Sequence, residues 1–81
     1  MTVQIKYSKQ AYKYLKTMHK PKRNQIIAAI NKLPYHEGDI VKMRGIENLY
    51  RLRVNDYRVL FTPEYDIIFI EKIGSRGDVY K

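Results

Sequence analysis

The segment Leu49–Phe61, which reads L-Y-R-L-R-V-N-D-Y-R-V-L-F, decides the fold of this 81-residue chain. Two runs flank Asn55-Asp56, and in each run apolar and polar residues alternate with the period of two that a half-buried strand requires. This pattern predicts a β-hairpin with a two-residue turn. In that hairpin Arg53 faces Arg58, and the remaining pairs follow from this one.

The two sides of the predicted hairpin differ in chemistry. The apolar side consists of Tyr50, Leu52, Val54, Tyr57, Val59 and Phe61. The other side carries Arg51, Arg53 and Arg58. Because like charges that face each other destabilise a sheet, three clustered arginines indicate that an anion binds between them. The alternative is a basic face that only contacts solvent.

The segments around the hairpin predict two helices and further strands. Ser8 is a good N-cap for a first helix, whose apolar residues recur at helical spacing. Pro21 suits the first turn of a second helix, which ends by Pro34 because proline disfavours helical geometry in the residue before it. Ile67–Ile73 is the most apolar segment and is predicted as a strand inside the sheet, ended by Gly74. Shorter strands are predicted at 3–7 and 40–44, and a turn at 63–66.

Helices followed by a meander of strands predict one α+β domain over residues 1–81. The N-terminal strand and the two-helix hairpin should pack on one face of a small antiparallel sheet, against the apolar side of the β-hairpin. The arginine side would then stay open to solvent. A turn of two or four residues preserves this pairing, whereas a three-residue turn would change which residues stand opposite each other.

The charges are unevenly distributed along the chain, whose net charge is +8. All 8 acidic residues lie at or after Glu37, so the first part of the chain carries only basic charged side chains. Lys9, Lys13, Lys16 and Lys20 recur at helical intervals and predict an exposed basic stripe. A domain this basic is typical of a protein that binds nucleic acid, an anionic membrane surface or an acidic protein.

Several kinds of chemistry find no support in the sequence. The chain has no cysteine, which excludes disulfides and thiolate zinc sites. His19 and His36 show no metal-ligand spacing with carboxylates. No glycine-rich phosphate loop and no Ser-His-Asp arrangement is indicated. We therefore expect neither a cofactor nor a metal. Because no apolar run approaches the roughly 20 residues of a membrane span, we also expect a soluble cytoplasmic protein.

The end of the chain adds Arg76, Tyr80 and Lys81 beyond the last predicted strand. Gly74 and Gly77 would let the chain fold back toward the arginine side of the hairpin. Several arginines beside a phenol suit a phosphodiester, because guanidinium groups bind phosphate oxygens in pairs and tyrosine stacks on a base or handles a proton. Cleavage of RNA then needs an aligned, deprotonated 2′-OH and a proton for the leaving oxygen.

The order of elements and several short motifs resemble the RelE branch of the RelE/ParE toxin superfamily. The motifs are Y-R-L-R at 50–53, Y-R at 57–58, I-G-S-R at 73–76 and D-V-Y at 78–80. The resemblance spans nearly the whole chain, although the helical half matches only in pattern. It implies a compact α+β fold, metal-independent cleavage of messenger RNA in the ribosomal A site, and neutralisation by an antitoxin encoded alongside.

The resemblance also implies roles for individual residues. Arg58 and Arg76 would clamp the phosphate, and Tyr80 would stack on the substrate or activate it. Arg51 and Arg53 occupy positions where the best-known members carry lysines. Arginine retains the charge but transfers no proton near neutral pH, so these two would act by electrostatic stabilisation.

Three functional hypotheses follow. The first is a ribosome-dependent endoribonuclease toxin, favoured by the pair Arg76 and Tyr80, whose partners are the ribosome, messenger RNA and an acidic antitoxin. The second is a non-enzymatic inhibitor of DNA gyrase, as in the ParE branch, and the third is an RNA-binding relative without catalytic activity. The residues expected to bind ribosomal RNA are Lys9, Lys13, Lys16, Lys20, Arg44 and Lys81.

Overall fold

The computed structural model describes residues 3–75 of the chain. In this range, helices and strands follow one another in the order that the sequence predicts. The elements are β1 (Gln4–Tyr7), α1 (Lys9–Thr17), α2 (Lys20–Asn31), a 3₁₀ turn (Leu33–Tyr35), β2 (Asp39–Lys42), β3 (Tyr50–Val54), β4 (Tyr57–Glu64) and β5 (Ile67–Ser75).

The strands form one sheet in the order β1-β5-β4-β3-β2. β1 pairs with β5 in parallel, and the other pairings are antiparallel. The predicted α+β fold is confirmed, with two corrections: the sheet is mixed, and β1 is an edge strand of the sheet instead of packing on its face, because its backbone pairs with β5. The physical reason is that β1 leads into the helices and not into a tight hairpin, so nothing forces it to run antiparallel to its neighbour.

The central hairpin has the predicted register, with Arg53 paired with Arg58. Asn55 has a φ of 54°, in the left-handed region that asparagine adopts more readily than most residues. Its side-chain amide donates a hydrogen bond to Gln25 Oε1 of α2 at 3.0 Å. The turn of the hairpin is therefore tied to the helix layer.

Both helices begin where the sequence predicts. Ser8 Oγ accepts a hydrogen bond from the backbone N–H of Ala11 at 3.1 Å, which caps α1. Pro21 lies in the first turn of α2. This helix ends at Asn31, because the chain then tightens into the 3₁₀ turn that contains Pro34.

The core lies between the helices and one face of the sheet. Ala11 and Leu15 of α1 and Ile26 and Ile30 of α2 are buried in it, whereas Ile27 is only half-buried. Burial of each large aliphatic side chain contributes about 1.5–3 kcal/mol. The residues that the sheet contributes to the core are Leu52, Val59, Phe61, Ile68, Ile70 and Ile73. Because Leu52 and Val59 alternate with the arginines along β3 and β4, the arginine side of the hairpin faces away from the helices.

Several strand boundaries differ from the prediction: β1 begins at Gln4, and β2 is Asp39–Lys42 instead of 40–44. β4 continues to Glu64, so the turn predicted at 63–66 shortens to its last two residues. β5 continues through Gly74, which is buried and pairs with Arg58. The prediction that this glycine ends the strand is wrong, because the adjacent β4 supplies a partner for the backbone there.

Candidate nucleic-acid interface

The face of the sheet that points away from the helices is here called the arginine face, because Arg51, Arg53 and Arg58 lie on it. Because side chains alternate along β3 and β4, the arginines lie on the other face of the sheet from the buried Leu52 and Val59. Arg53 and Arg58 are direct neighbours across the two strands, and Arg51 is diagonal to Arg58. The structure thus brings these three arginines together as predicted.

The three arginines differ in exposure. Arg53 is exposed and Arg51 is half-buried, but only 8% of Arg58 is exposed. The prediction that this side of the hairpin stays open to solvent is therefore wrong for Arg58. The physical reason is that β4 lies at the centre of the sheet, where both neighbouring strands shield the side chain. Within residues 3–75, the buried Nε of Arg51 has no hydrogen-bond partner.

The turn of the hairpin orients the Arg58 guanidinium. Arg58 Nη1 donates hydrogen bonds to the carbonyl oxygens of Asn55 at 3.2 Å and Tyr57 at 3.1 Å. A guanidinium carries five N–H donors in a fixed plane, so holding one nitrogen also sets the direction of the others. The arrangement can present a fixed donor edge to an anion.

Lys72 also lies on the arginine face, although none of the sequence motifs described above includes it. Leu60 pairs with Lys72, and the residue after Leu60 pairs with Ile70. Glu71 is therefore the extra residue of a β-bulge. The signal in the sequence is the adjacent Glu71 and Lys72, which interrupt the continuous run of apolar residues along β5.

A small apolar cluster borders the arginine face. Leu49 and Leu60 are buried, and Met43 packs against them. The loop between β2 and β3 is closed by a hydrogen bond from the Met43 N–H to the Leu49 carbonyl at 2.8 Å. Asn48 Nδ2 ties the loop to β4 by donating to the Pro63 carbonyl at 2.8 Å. The loop thus forms a fixed boundary beside Arg51.

The predicted basic stripe is exposed, but it lies on the other side of the molecule. Lys9, Lys13 and Lys16 belong to α1, and Lys20 begins α2. The helices cover the face of the sheet opposite the arginines, and the shortest extent of the domain is 23 Å. Arg44, also exposed, lies in the loop between β2 and β3. A partner that contacts both the stripe and the arginine face must therefore reach around the domain.

A groove of about 420 Å³ lies between α1, α2 and the end of β1. Its lining includes the apolar side chains Leu15 and Ile27, the ring of Tyr7, and the basic side chains Lys16 and Arg23. Burial raises the pKa of the Tyr7 phenol above its ordinary value. An apolar groove with basic side chains suits an acidic, amphipathic segment.

Arg76, Tyr80 and Lys81 lie outside the described residues, so their roles stay predictions. Within residues 3–75, no group of three or more His, Cys, Asp and Glu side chains could hold a metal ion. In the same part of the chain, no helix is long and apolar enough to span a bilayer.

Comparison with known proteins decides the family. No protein-family model matches the chain. A Methanocaldococcus jannaschii protein assigned as toxin RelE1 is 36% identical over 53 residues, which are 63% of this chain and only 59% of that relative. The RelE–RelB complex from Pyrococcus horikoshii OT3 contains a chain that is 30% identical, with a TM-score of 0.78. That alignment covers 96% of this chain and 99% of the other. The chain belongs to the RelE-like superfamily.

A second solved structure agrees with this assignment. The RelB–RelE antitoxin–toxin complex from Methanococcus jannaschii contains a chain that is 26% identical, with a TM-score of 0.76. The alignment covers 93% of this chain and 94% of the other. The resemblance drawn from the hairpin and the terminal motifs is thereby confirmed at the level of the superfamily. In this RelE-like chain, the helices and the arginine face occupy opposite sides of one sheet.

Proposed function

We propose that this RelE-like chain is the toxin of a toxin–antitoxin pair and cuts messenger RNA in the ribosomal A site without a metal ion. The observation that carries the proposal is the arginine face, where a single hairpin presents three guanidinium groups on the side of the sheet away from the helices. Asp39 of β2 pairs with Arg53, but three guanidinium groups outnumber this one carboxylate, and phosphodiesters are bound by paired guanidinium donors. Membership of the RelE-like superfamily supports the proposal.

Arg58 holds the scissile phosphate in this proposal. Its Nη1 is occupied by the carbonyl oxygens of Asn55 and Tyr57, so its orientation is set before the substrate arrives. A donor oriented in advance stabilises developing charge without reorganising during the reaction. Its low exposure strengthens the interaction, because a phosphate that reaches it leaves water behind.

The other residues divide the remaining tasks. The exposed Arg53 attracts the phosphodiester, and Arg51 stabilises the negative charge that grows on the phosphate oxygens. Arg76 supplies a second clamp, and Tyr80 stacks on a base or takes the proton of the 2′-OH. The reaction therefore depends on positioning and electrostatic stabilisation by this chain's own side chains.

Ribosomal RNA is the proposed contact of the basic helices. A partner as large as a ribosome can contact both sides of a domain whose shortest extent is 23 Å. The helices then bind ribosomal RNA while the arginine face meets the messenger. Such binding should weaken steeply with added salt, because each phosphate contact releases counterions. The residues proposed for this contact are Lys9, Lys13, Lys16, Lys20, Arg44 and Lys81.

The proposed protein partner is an acidic antitoxin. The two archaeal RelE-like structures described above are complexes with RelB. The net charge of +8, and the absence of acidic residues before Glu37, favour an acidic partner here. The groove between α1 and α2 offers apolar contacts and the basic side chains Lys16 and Arg23 to such a segment.

Primer extension on messenger RNA from cells that express the chain tests the proposed activity. Arg53→Ala should reduce cleavage about 10²-fold or more, while the fold stays intact because Arg53 is exposed. Arg76→Ala and Tyr80→Phe should also reduce cleavage. Lys42→Ala removes an exposed basic side chain of the neighbouring β2 and is the matched control. Cleavage by Arg53→Ala at the parent level would contradict the assignment of the arginine face.

A supercoiling assay with purified DNA gyrase separates the proposal from its alternatives. Inhibition of gyrase without cleavage of messenger RNA would identify a ParE-like inhibitor and refute the ribonuclease. Unchanged growth with intact messenger RNA and active gyrase would identify an RNA-binding relative without catalytic activity.

A further inference from the structure

The β-bulge at Glu71 decides which side of β5 presents Lys72. Ile68 and Ile70 are buried in the core, so uninterrupted alternation would send residue 72 into the core as well. The bulge adds one residue, and Ile73 is fully buried instead. The Lys72 side chain is therefore turned to the arginine face.

Two side chains at the start of α1 hold this bulge. Ser8 Oγ donates a hydrogen bond to the Glu71 carbonyl at 2.6 Å. Gln10 Nε2 donates to the Ile73 carbonyl at 2.9 Å, and the Ile73 N–H donates to Gln10 Oε1 at 3.0 Å. The Gln10 carboxamide thus pairs with β5 as a strand would, beyond the point where β1 ends at Tyr7. Three hydrogen bonds make the bulge a fixed feature of the fold.

Lys72 is a close neighbour of the arginines. Arg58 pairs with Gly74, so Lys72 is the diagonal neighbour of Arg58 on the same face. Such diagonal positions are about 7–8 Å apart, which long side chains bridge. Arg51, Leu60 and Lys72 lie side by side in one row across β3, β4 and β5. The backbone positions of Arg51 and Lys72 are therefore about 9–10 Å apart. A phosphodiester held by the arginines therefore lies within reach of Lys72.

We propose that Lys72 is a catalytic residue whose ammonium group protonates the 5′-oxygen that leaves when the RNA is cut. This inference rests on the proposed ribonuclease function. The 5′-oxygen is a poor leaving group as an alkoxide and therefore requires a proton donor. A guanidinium is not deprotonated in proteins, so the arginines cannot fill this role. Lysine carries a transferable proton on a compact head group, and Lys72 presents it beside Arg58.

The proposed step is balanced. The 2′-OH proton passes to a base, the role proposed for Tyr80, and the 2′-oxygen forms a bond to phosphorus. The bond between phosphorus and the 5′-oxygen breaks, and its electron pair stays on that oxygen. Lys72 Nζ gives this oxygen a proton, which leaves a 2′,3′-cyclic phosphate and a 5′-hydroxyl. The neutral lysine and the protonated base then exchange protons with water.

The decisive test replaces the 5′-oxygen of the cleaved bond by sulfur, in ribosome-bound messenger RNA whose cleavage position has been mapped. A thiolate leaves without being protonated, because a thiol is far more acidic than an alcohol. Lys72→Met should slow cleavage of the oxygen substrate by about 10²–10⁴-fold. Cleavage of the sulfur substrate by the same variant should stay close to that by the parent protein.

Two further variants separate proton transfer from charge. Lys72→Arg retains the charge but not the transferable proton, and it should cut the oxygen substrate as slowly as Lys72→Met. Lys6→Met removes an exposed lysine of β1 whose partner Phe69 is distant from the arginines, and it should cut both substrates like the parent. Circular dichroism should confirm the same fold for every variant.

Four results would overturn the proposal. Parent-level cleavage of the oxygen substrate by Lys72→Met would show that the lysine is dispensable. Equal slowing of both substrates by this variant, or full activity of Lys72→Arg, would show that its charge alone matters. A parent protein that cuts neither substrate would refute the proposed ribonuclease itself, and this inference with it.

Discussion

Gln10→Ala should destabilise the fold, although Gln10 is a polar residue at the surface of α1. Its carboxamide makes two hydrogen bonds with the backbone of Ile73, at 2.9 and 3.0 Å. Each contributes about 0.5–1.5 kcal/mol net, so their loss should lower the free energy of unfolding by about 1–3 kcal/mol. Because Ile73 is fully buried, water cannot readily replace the amide, which favours the upper half of this range. For a domain of this size, each kcal/mol lowers Tm by about 4–8 °C.

Urea unfolding followed by circular dichroism measures the loss of stability, and hydrogen exchange of the Ile73 amide locates it. Gln4→Ala is the matched control, because Gln4 is an exposed glutamine of β1. Gln10→Glu should give an intermediate loss, since a carboxylate still accepts from the Ile73 N–H but repels the Ile73 carbonyl. If Gln10→Ala is no less stable than Gln4→Ala, or if the Ile73 amide stays equally protected, the carboxamide is not a partner of β5.

Substitutions at Gly38 and Tyr7, with Gly45→Ala for comparison, test the edge of the sheet and the helix groove. Gly38 has a φ of +122°, and an added Cβ would lie 2.8 Å from Leu52 Cδ1, so Gly38→Ala should lower the free energy of unfolding by about 1–3 kcal/mol. Gly45→Ala, with a φ of +79° but no atom within 4 Å of the added Cβ, should lower it less, and urea unfolding compares the two. Burial raises the pKa of Tyr7 above its ordinary value of 10.0, so its contribution to stability is complete below about pH 10 and is lost as the pH rises through the folded-state pKa. When urea unfolding is repeated at increasingly alkaline pH, the unfolding free energy of Tyr7→Phe should therefore fall less than that of the parent. An equal fall would contradict the raised pKa of Tyr7.

The hairpin was predictable because its determinants are local. Alternation in β3 and β4 and the short turn at Asn55 settle which residues pair, so the placement of Arg53 opposite Arg58 follows from adjacent sequence alone. The superfamily was predictable for the same reason, since its motifs are short and lie in the hairpin and within residues 73–80. The low exposure of Arg58 was not, because it depends on β5, whose pairing with β4 extends past Gly74.

Lys72 shows most clearly what local patterns miss. Its sequence neighbourhood reads as an interior strand, and strict alternation would assign it to the core. The bulge that turns it outward depends on Ser8 and Gln10, which are distant in sequence and belong to a helix on the other face of the sheet. Two adjacent charged residues inside an apolar strand are a usable signal for such a bulge, but they do not reveal what stabilises it.

The two faces of the sheet are therefore not independent. The N-terminus of α1 is capped by Ser8, and the same hydroxyl group holds the Glu71 carbonyl at the bulge. A change that unwinds the first turn of α1 should release the bulge as well, and Lys72 would then lose its fixed orientation toward the arginine face. The arginines would keep their positions, because β3, β4 and their turn hold them without α1. The structure thus separates binding of the anion, which the hairpin provides locally, from the placement of Lys72, which requires the whole domain to be folded.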